Sequence, residues 1–322
     1  MELVGIRLTM SADVDSHPHS FFMSLHCNFC EADVPCVQLF HAKEGDAVPK
    51  KYRITEEEHS TCWDIWRCRT CGLTFSDCRL SPESIQDLYV TMEDAVYERE
   101  DFTRRLTFKR GLSLLESCML PAQSKGLMLD IGCATGGFLQ EAKDRGWQVE
   151  GVDLSHWAVS RAHERGIPAV HRGTIHTLPG LEGRFDAVTM LDYIEHDPDT
   201  SRLIGAVEKV MRKGGCLYIT TPDIGSFVAR LLGRRWWGIN PLHLYYFSRS
   251  SLRKMLEKHG FEVVLMRSYT RVFTLGYWAS RLEHFHPALA LIVGTPFKWL
   301  HMSNWPVPLN LGDMMEVVAR KK

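Results

Sequence analysis

The chain carries no excess of charge of either sign: 38 Lys and Arg stand against 39 Asp and Glu, a formal net charge of −1. Nucleic-acid binders neutralise phosphates with a concentrated basic face. The most basic stretch, Arg104, Arg105, Lys109 and Arg110, reads as the solvated side of a helix, so no nucleic-acid partner is expected. No apolar run reaches the roughly 20 residues that span a bilayer, and Ala288 to Val293 is cut short by Gly294 and Pro296. A basic-then-apolar leader, an internal repeat and a low-complexity tract are all absent, which argues against export, solenoids and fibres. A cytoplasmic globular protein is expected, and 45% hydrophobic with 24% charged residues agrees with that class. A length of 322 residues suits one catalytic domain of about 200 residues plus a small module.

Cysteine, in contrast, is plentiful, with ten residues. Cys27-Asn-Phe-Cys30 and Cys68-Arg-Thr-Cys71 form two Cys-x-x-Cys knuckles, with Gly72 suiting a backbone turn after the second. Each knuckle lets two thiolates reach one ion, and the two together complete a tetrahedral four-sulfur zinc site. The gap between them is longer than in common zinc ribbons. A disulfide framework fits poorly with a large domain that needs no staples, and redox chemistry would call for a single Cys-x-x-Cys beside a βαβ unit. Cys36, Cys62 and Cys78 stay spare, Cys62 being a poorer substitute for a knuckle residue. A structural Zn²⁺ on Cys27, Cys30, Cys68 and Cys71 is therefore expected, in a ribbon over 21–80 behind a flexible lead-in at 1–20 and with a long charged loop at 41–60.

The most informative stretch is Met128 to Phe138 (MLDIGCATGGF), followed by Val149 to Asp153 (VEGVD). An apolar run ends in Asp130, enters a turn of small residues, continues as a helical pattern and returns as a second apolar run ending in Asp153. Strand, glycine turn, helix and acid-capped strand make a nucleotide-type pocket at the carboxyl end of a parallel sheet. The order Asp-x-Gly-x-Ala-x-Gly differs from the dinucleotide fingerprint. A carboxylate ahead of the first glycine repels a phosphate and welcomes an ammonium group, and an acid about 20 residues on can accept two ribose hydroxyls. Strand-like Phe185–Leu191 and Cys216–Thr221 alternate with a helical pattern over Ala206–Met211, which argues for a parallel α/β sheet covered on both faces.

In these motifs the chain resembles the class I S-adenosylmethionine-dependent methyltransferases, over roughly residues 127–265. The resemblance implies a Rossmann-like seven-stranded sheet with its last strand antiparallel, and S-adenosyl-L-methionine as cofactor. It places Asp130, Gly132, Cys133, Ala134 and Gly136 at the methionyl end, Asp153 on the ribose with Leu154 beside it, Thr174 and Ile175 near the adenine, and Leu191 on the cavity wall. Ala134 matters only if its position needs a positive φ. The connector over 81–126, with Tyr89 and Tyr97, is expected to fold over the cofactor, although either tyrosine could be a packing aromatic.

Tyr193, Glu195 and His196 follow the fourth strand, where ligands of such sheets bind. Methyl transfer from a sulfonium needs alignment, exclusion of water and removal of a proton. His196 can accept a proton near neutrality, and Glu195 can orient it. The alternative is that Glu195 caps a helix and His196 packs beside the cofactor. His243 and Tyr246, ahead of a helix over Ser250–His259 that Gly260 stops, are candidate substrate contacts, with Phe247 as core. The final strand is expected over Leu309–Arg320, after an aromatic-rich insertion at about 270–308 with helical spacing at Leu275–Leu282. A substrate lid or packing element ranks first for this insertion, a dimer face next. Membrane association comes last, because Arg271, Arg281 and Lys298 are scattered and make no basic face. The expected activity is O-methylation of a sugar or natural-product hydroxyl. Alternatives are C-methylation of a nucleotide-linked deoxysugar, RNA methylation, or a binding scaffold without turnover. The oligomeric state is left open.

Overall fold

The computed structural model describes residues 22–42, 63–93, 101–120, 125–178, 180–281, 299–300 and 302–322. The lead-in, nearly all of the charged ribbon loop, Cys62, Tyr97 and the middle of the insertion, including Ala288–Val293, lie outside them.

The amino-terminal strands β1 (Phe22–Cys27), β2 (Ala32–Phe40), β3 (Ile65–Cys68) and β4 (Thr74–Ser76) form an antiparallel meander. Helix α1 (Pro82–Val90) starts at Ser81, whose side chain accepts the Ser84 N–H, and has Pro82 in its first turn. Both features supply what a helix start lacks. Helix α2 (Asp101–Cys118) follows and leads to the main sheet.

There the chain alternates: β5 (Leu127–Ile131), α3 (Gly137–Asp144), β6 (Gln148–Asp153), α4 (His156–Glu164), β7 (Val170–Arg172), β8 (Phe185–Leu191), α5 (Thr200–Val210) and β9 (Met211–Pro222). Then come α6 (Phe227–Leu232), β10 (Tyr245–Tyr246), α7 (Arg249–Lys258) and β11 (Phe261–Ser268). An insertion of β12 (Arg271–Thr274), α8 (Leu275–Arg281) and β13 (Pro306–Leu309) precedes β14 (Met314–Lys321). The seven-stranded sheet has the order β11-β14-β9-β8-β5-β6-β7, with β14 antiparallel to both neighbours and the other pairs parallel. This is the expected mixed Rossmann-like sheet. Its central strands β5 and β8 are apolar and buried because helices cover both faces. Gly111 in α2 makes one of those contacts possible, since a Cβ there would stand 2.7 Å from the buried Tyr218 hydroxyl on β9.

The amino-terminal meander does not stand apart. β10 pairs with β4 in the register Tyr245↔Phe75 and Tyr246↔Thr74, so the small sheet runs β1-β2-β3-β4-β10 and takes its last strand from the large domain. Two strand limits also differ from the sequence reading. β11 runs on to Ser268, and Leu309 closes the β12–β13 hairpin; Gly312, at φ +76°, turns the chain before β14 begins.

Candidate active site

A cavity of about 330 Å³ opens at the carboxyl ends of β5, β6 and β8, beside the point between β5 and β8 where the strand order reverses. Such sheets bind ligands there. Residues of α1, α2 and the insertion form its outer wall, including Tyr89, Arg104, Phe108, Arg271 and Tyr277.

The glycine turn is held from behind by an acid. Asp153 Oδ2 accepts the Ala134 N–H at 2.9 Å and Oδ1 accepts the Ser155 N–H at 2.8 Å. Gly132, Ala134 and Gly136 all have positive φ, at +71°, +46° and +76°. Ala134 thus occupies a conformation that favours glycine, the condition under which its departure from glycine matters. Asp130 is 2% exposed and accepts the Thr189 hydroxyl at 2.6 Å on Oδ1, and no donor among the described residues reaches Oδ2. Burial, with Asp153 nearby, pushes its carboxyl up to about 7. Burial raises Asp153 as well, against the backbone N–H donors of Ser155, Ala134 and Leu154 that favour its charge.

At the other end, Tyr193, Glu195 and His196 leave β8 through a short 3-10 turn, all on the cavity wall. The Tyr193 ring lies against Gly132, where an added Cβ would come within 2.3 Å of it, and its hydroxyl donates to Asp197 at 3.3 Å. Glu195 is buried, accepts the Thr221 hydroxyl at 2.9 Å, and is pushed up to about 8 by burial and by Asp192. His196 Nδ1 lies 3.0 Å from the Leu242 carbonyl and 2.8 Å from the Tyr89 hydroxyl. A carbonyl only accepts, so Nδ1 carries the proton and Nε2 keeps a lone pair. Burial holds the imidazole down to about 4, so it is neutral at pH 7. His243 is set in the same way, its Nδ1–H donating to the Gly238 carbonyl at 2.8 Å, and its ring meets that of His196 edge-on at 4.7 Å. Glu195, His196 and His243 each bring one polar atom within 4.8 Å of the others.

Most of the residues read from the sequence meet on this one wall: Asp130, Gly132, Cys133, Ala134, Asp153, Leu154, Thr174, Leu191, Tyr193, Glu195, His196 and His243. Two do not. Gly136 begins α3 and faces α4, where a Cβ would meet Ile167 and Ala162, and Ile175 points into the core at 4% exposure. Tyr246 packs near Trp236 and donates its hydroxyl to the Asn240 carbonyl, so it too sits off the wall. Tyr97 lies outside the described residues. Sequence reasoning missed Asp192, Tyr269 and Arg271, all on the wall. A signal existed for Asp192, the first polar residue past an apolar strand; Arg271 had none, standing in an insertion without a motif.

In the small sheet, Cys27 and Cys71 sulfurs lie 3.5 Å apart and those of Cys30 and Cys68 3.8 Å apart, with all four within 4.8 Å of one another. The Cys71 side chain, hydrogen-bonded to Cys27, pulls the Cys27 thiol well below its ordinary value. Four sulfurs and no other donor type in this grouping suit a soft, tetrahedral ion. The intervening knuckle residue Asn28 reaches the large domain: its amide donates to Asp199 at 2.7 Å and its oxygen accepts from the Thr200 hydroxyl at 2.8 Å and the Ser201 N–H at 2.9 Å.

Comparison with known proteins identifies a family and several relatives. A family model for the methyltransferase domain matches residues 102–265, just over half of the chain. A ubiquinone biosynthesis O-methyltransferase from Pseudomonas aeruginosa is 37% identical over 101 residues, 29% of this chain and 43% of that enzyme. One from Alkalilimnicola ehrlichii is 35% identical over 117 residues, 34% of this chain and 47% of that enzyme. The chain thus matches under half the length of each of these relatives. A SAM-dependent methyltransferase from Thermotoga maritima of known structure is 24% identical and covers 70% of this chain and 94% of its own, with a TM-score of 0.46. No described helix is long and apolar enough to cross a membrane. With a family model that matches over half its length, the chain belongs to the methyltransferase-domain family.

Proposed function

We propose that the protein methylates a hydroxyl oxygen of a small-molecule acceptor, a sugar or natural product, with His196 as the base. The observation that carries this reading is the single cavity joining Asp130 and Asp153 at one end to His196 and His243 at the other. S-adenosylmethionine supplies a methyl on a sulfonium, a good leaving group already in place. Asp130, whose Oδ2 no donor among the described residues reaches, suits the cofactor's ammonium group, and Asp153 retains lone pairs for two ribose hydroxyls. Its oxygens are aligned by the Ala134 and Ser155 amides, which cost no reorganisation when a ligand arrives.

At the acceptor end the chain has two tasks, to hold the hydroxyl in line and to take its proton. Transfer of the methyl from the cofactor's sulfonium to the acceptor oxygen would release the hydroxyl proton, which His196 Nε2 would take. A strong base is not required, because the oxygen becomes strongly acidic as it gains the methyl. A neutral imidazole with a low pKa therefore serves. Tyr89 on α1 braces the ring through Nδ1. The same acceptor chemistry is in the names of the O-methyltransferase relatives. Replacing His196 by Ala should lower kcat by about 10²- to 10⁴-fold, the usual contribution of a positioned base, with S-adenosylmethionine affinity retained. Unchanged turnover in that variant removes His196 as the base.

The four clustered thiols are proposed to hold one structural zinc ion. Their role is to fix the knuckle from which Asn28 grips Asp199, Thr200 and Ser201, the residues that follow the His196 turn.

A further inference from the structure

Arg271 opens β12, and its guanidinium lies in the active-site cavity, paired through Nη2 with Asp192 and lying over the Tyr269 ring at 5.8 Å from the centroid. Asp192 holds its own position firmly. It has a φ of +53°, donates its N–H to the Thr220 carbonyl and accepts the Thr220 hydroxyl at 2.9 Å. One edge of the guanidinium is therefore fixed. Among the described residues nothing accepts from Nε or Nη1, and the side chain keeps 32% of its surface open within the cavity. A planar fork with one edge clamped and the other open is the arrangement that receives a carboxylate or phosphate through two parallel hydrogen bonds.

The charge on this wall points the same way. Arg104 of α2 lines the cavity too, and both guanidiniums oppose the rise that burial imposes on the Tyr269 hydroxyl. Of the acids on this part of the wall, Asp192 is engaged by Arg271, burial keeps Glu195 largely protonated at pH 7, and Asp197 accepts the Tyr193 hydroxyl. The cofactor would bring a further positive charge to the side where Arg271 and Arg104 stand. A neutral acceptor gains nothing from this field, and an anionic one is drawn into it and oriented.

Resting on the methyltransferase reading above, we infer that the acceptor carries an anionic group, a carboxylate or a phosphate, and that Arg271 with Tyr269 is the subsite that receives it. Arg271 thereby determines specificity and sets which hydroxyl faces His196.

The test is calorimetric titration of the protein saturated with S-adenosylhomocysteine, using benzoate and phenyl phosphate as anionic probes and benzamide as the neutral counterpart. At least one anion should bind about tenfold or more tightly than benzamide, as expected for a charge-assisted pair. The stronger of the two identifies the group. Arg271→Gln should abolish that preference, Arg271→Lys should restore part of it, and S-adenosylhomocysteine affinity should stay within about twofold of wild type in both. Equal binding of anions and benzamide overturns the inference. So does a large loss of S-adenosylhomocysteine affinity in Arg271→Lys, which would assign the guanidinium to the cofactor's own carboxylate. Failure of the wild type to bind S-adenosylhomocysteine at all is a different result, and it counts against the cofactor reading itself.

Discussion

Asp130 is an acid buried almost completely, with one protein donor on one oxygen. Burial holds its proton up to about pH 7, whereas an unfolded aspartate loses it near 4. An ammonium ligand needs the carboxylate, so binding below that pH must first expel a proton. Affinity for S-adenosylmethionine should therefore rise about tenfold per unit up to pH about 7. It should fall again above about 8, where an α-amino group loses its own charge. Asp130→Asn should bind weakly, without the rise below pH 7; titrations at several pH values measure both. The stability of the ligand-free protein follows the same logic. Asp130 and Glu195 retain protons in the fold at pH values where the unfolded chain has lost them, so their contribution falls as pH rises from about 4 toward 8. His196 acts in the opposite sense: held down to about 4, it costs stability as pH falls from 6.5 through that value. Gly132 is a second sensitive point. Gly132→Ala meets both a positive φ and the Tyr193 ring at 2.3 Å. It should cost about 1–2 kcal/mol from the backbone alone and displace the segment that carries His196, read as lost cofactor affinity together with a lower melting temperature.

Among the elements, the small amino-terminal sheet and the catalytic turn are tied together more closely than a linked module requires. β10 completes the small sheet, Lys258 of α7 donates to the Phe29 carbonyl and to Glu31, and Asn28 meets the start of α5. Removing zinc from the four thiols should therefore do more than loosen the ribbon. A chelator is expected to release about one zinc per chain, lower the melting temperature and reduce methyl transfer. Metal-free protein of unchanged stability contradicts the zinc assignment. Asn28→Ala leaves the knuckle's sulfurs intact but strips partners from Asp199, Thr200 and Ser201, at an expected cost of about 1–3 kcal/mol in thermal or denaturant unfolding.

For the molecule as a whole, the parts legible in the sequence are those whose physics is local. The Asp-x-Gly turn, the acid ending β6, the apolar β8 and the paired cysteines each need particular residues at fixed spacing, and each stands where that spacing implies. A final strand after an insertion was legible too, because an isolated strand pattern followed a long aromatic stretch; its antiparallel direction came only from the family resemblance. Contacts between distant segments were not. Pairing of Tyr245 with Phe75 has no local cue. Nor has the meeting of Arg271 with Asp192, which joins the insertion to the end of β8, or the Tyr89–His196 contact between α1 and the catalytic turn. The residues that lie off the wall, Gly136, Ile175 and Tyr246, do so for a related reason: a motif gives the sequence neighbourhood of a pocket, and packing decides which neighbours face it.

The central claim is that one cavity receives S-adenosylmethionine between Asp130 and Asp153. It is tested most directly by calorimetric titration with S-adenosylmethionine and then S-adenosylhomocysteine, on the wild type and on Asp153→Ala. The account predicts micromolar binding of both ligands by the wild type, tighter for S-adenosylhomocysteine, and no binding by a folded Asp153→Ala. Wild-type affinity in that variant, or no binding of either ligand to the wild type, would contradict it.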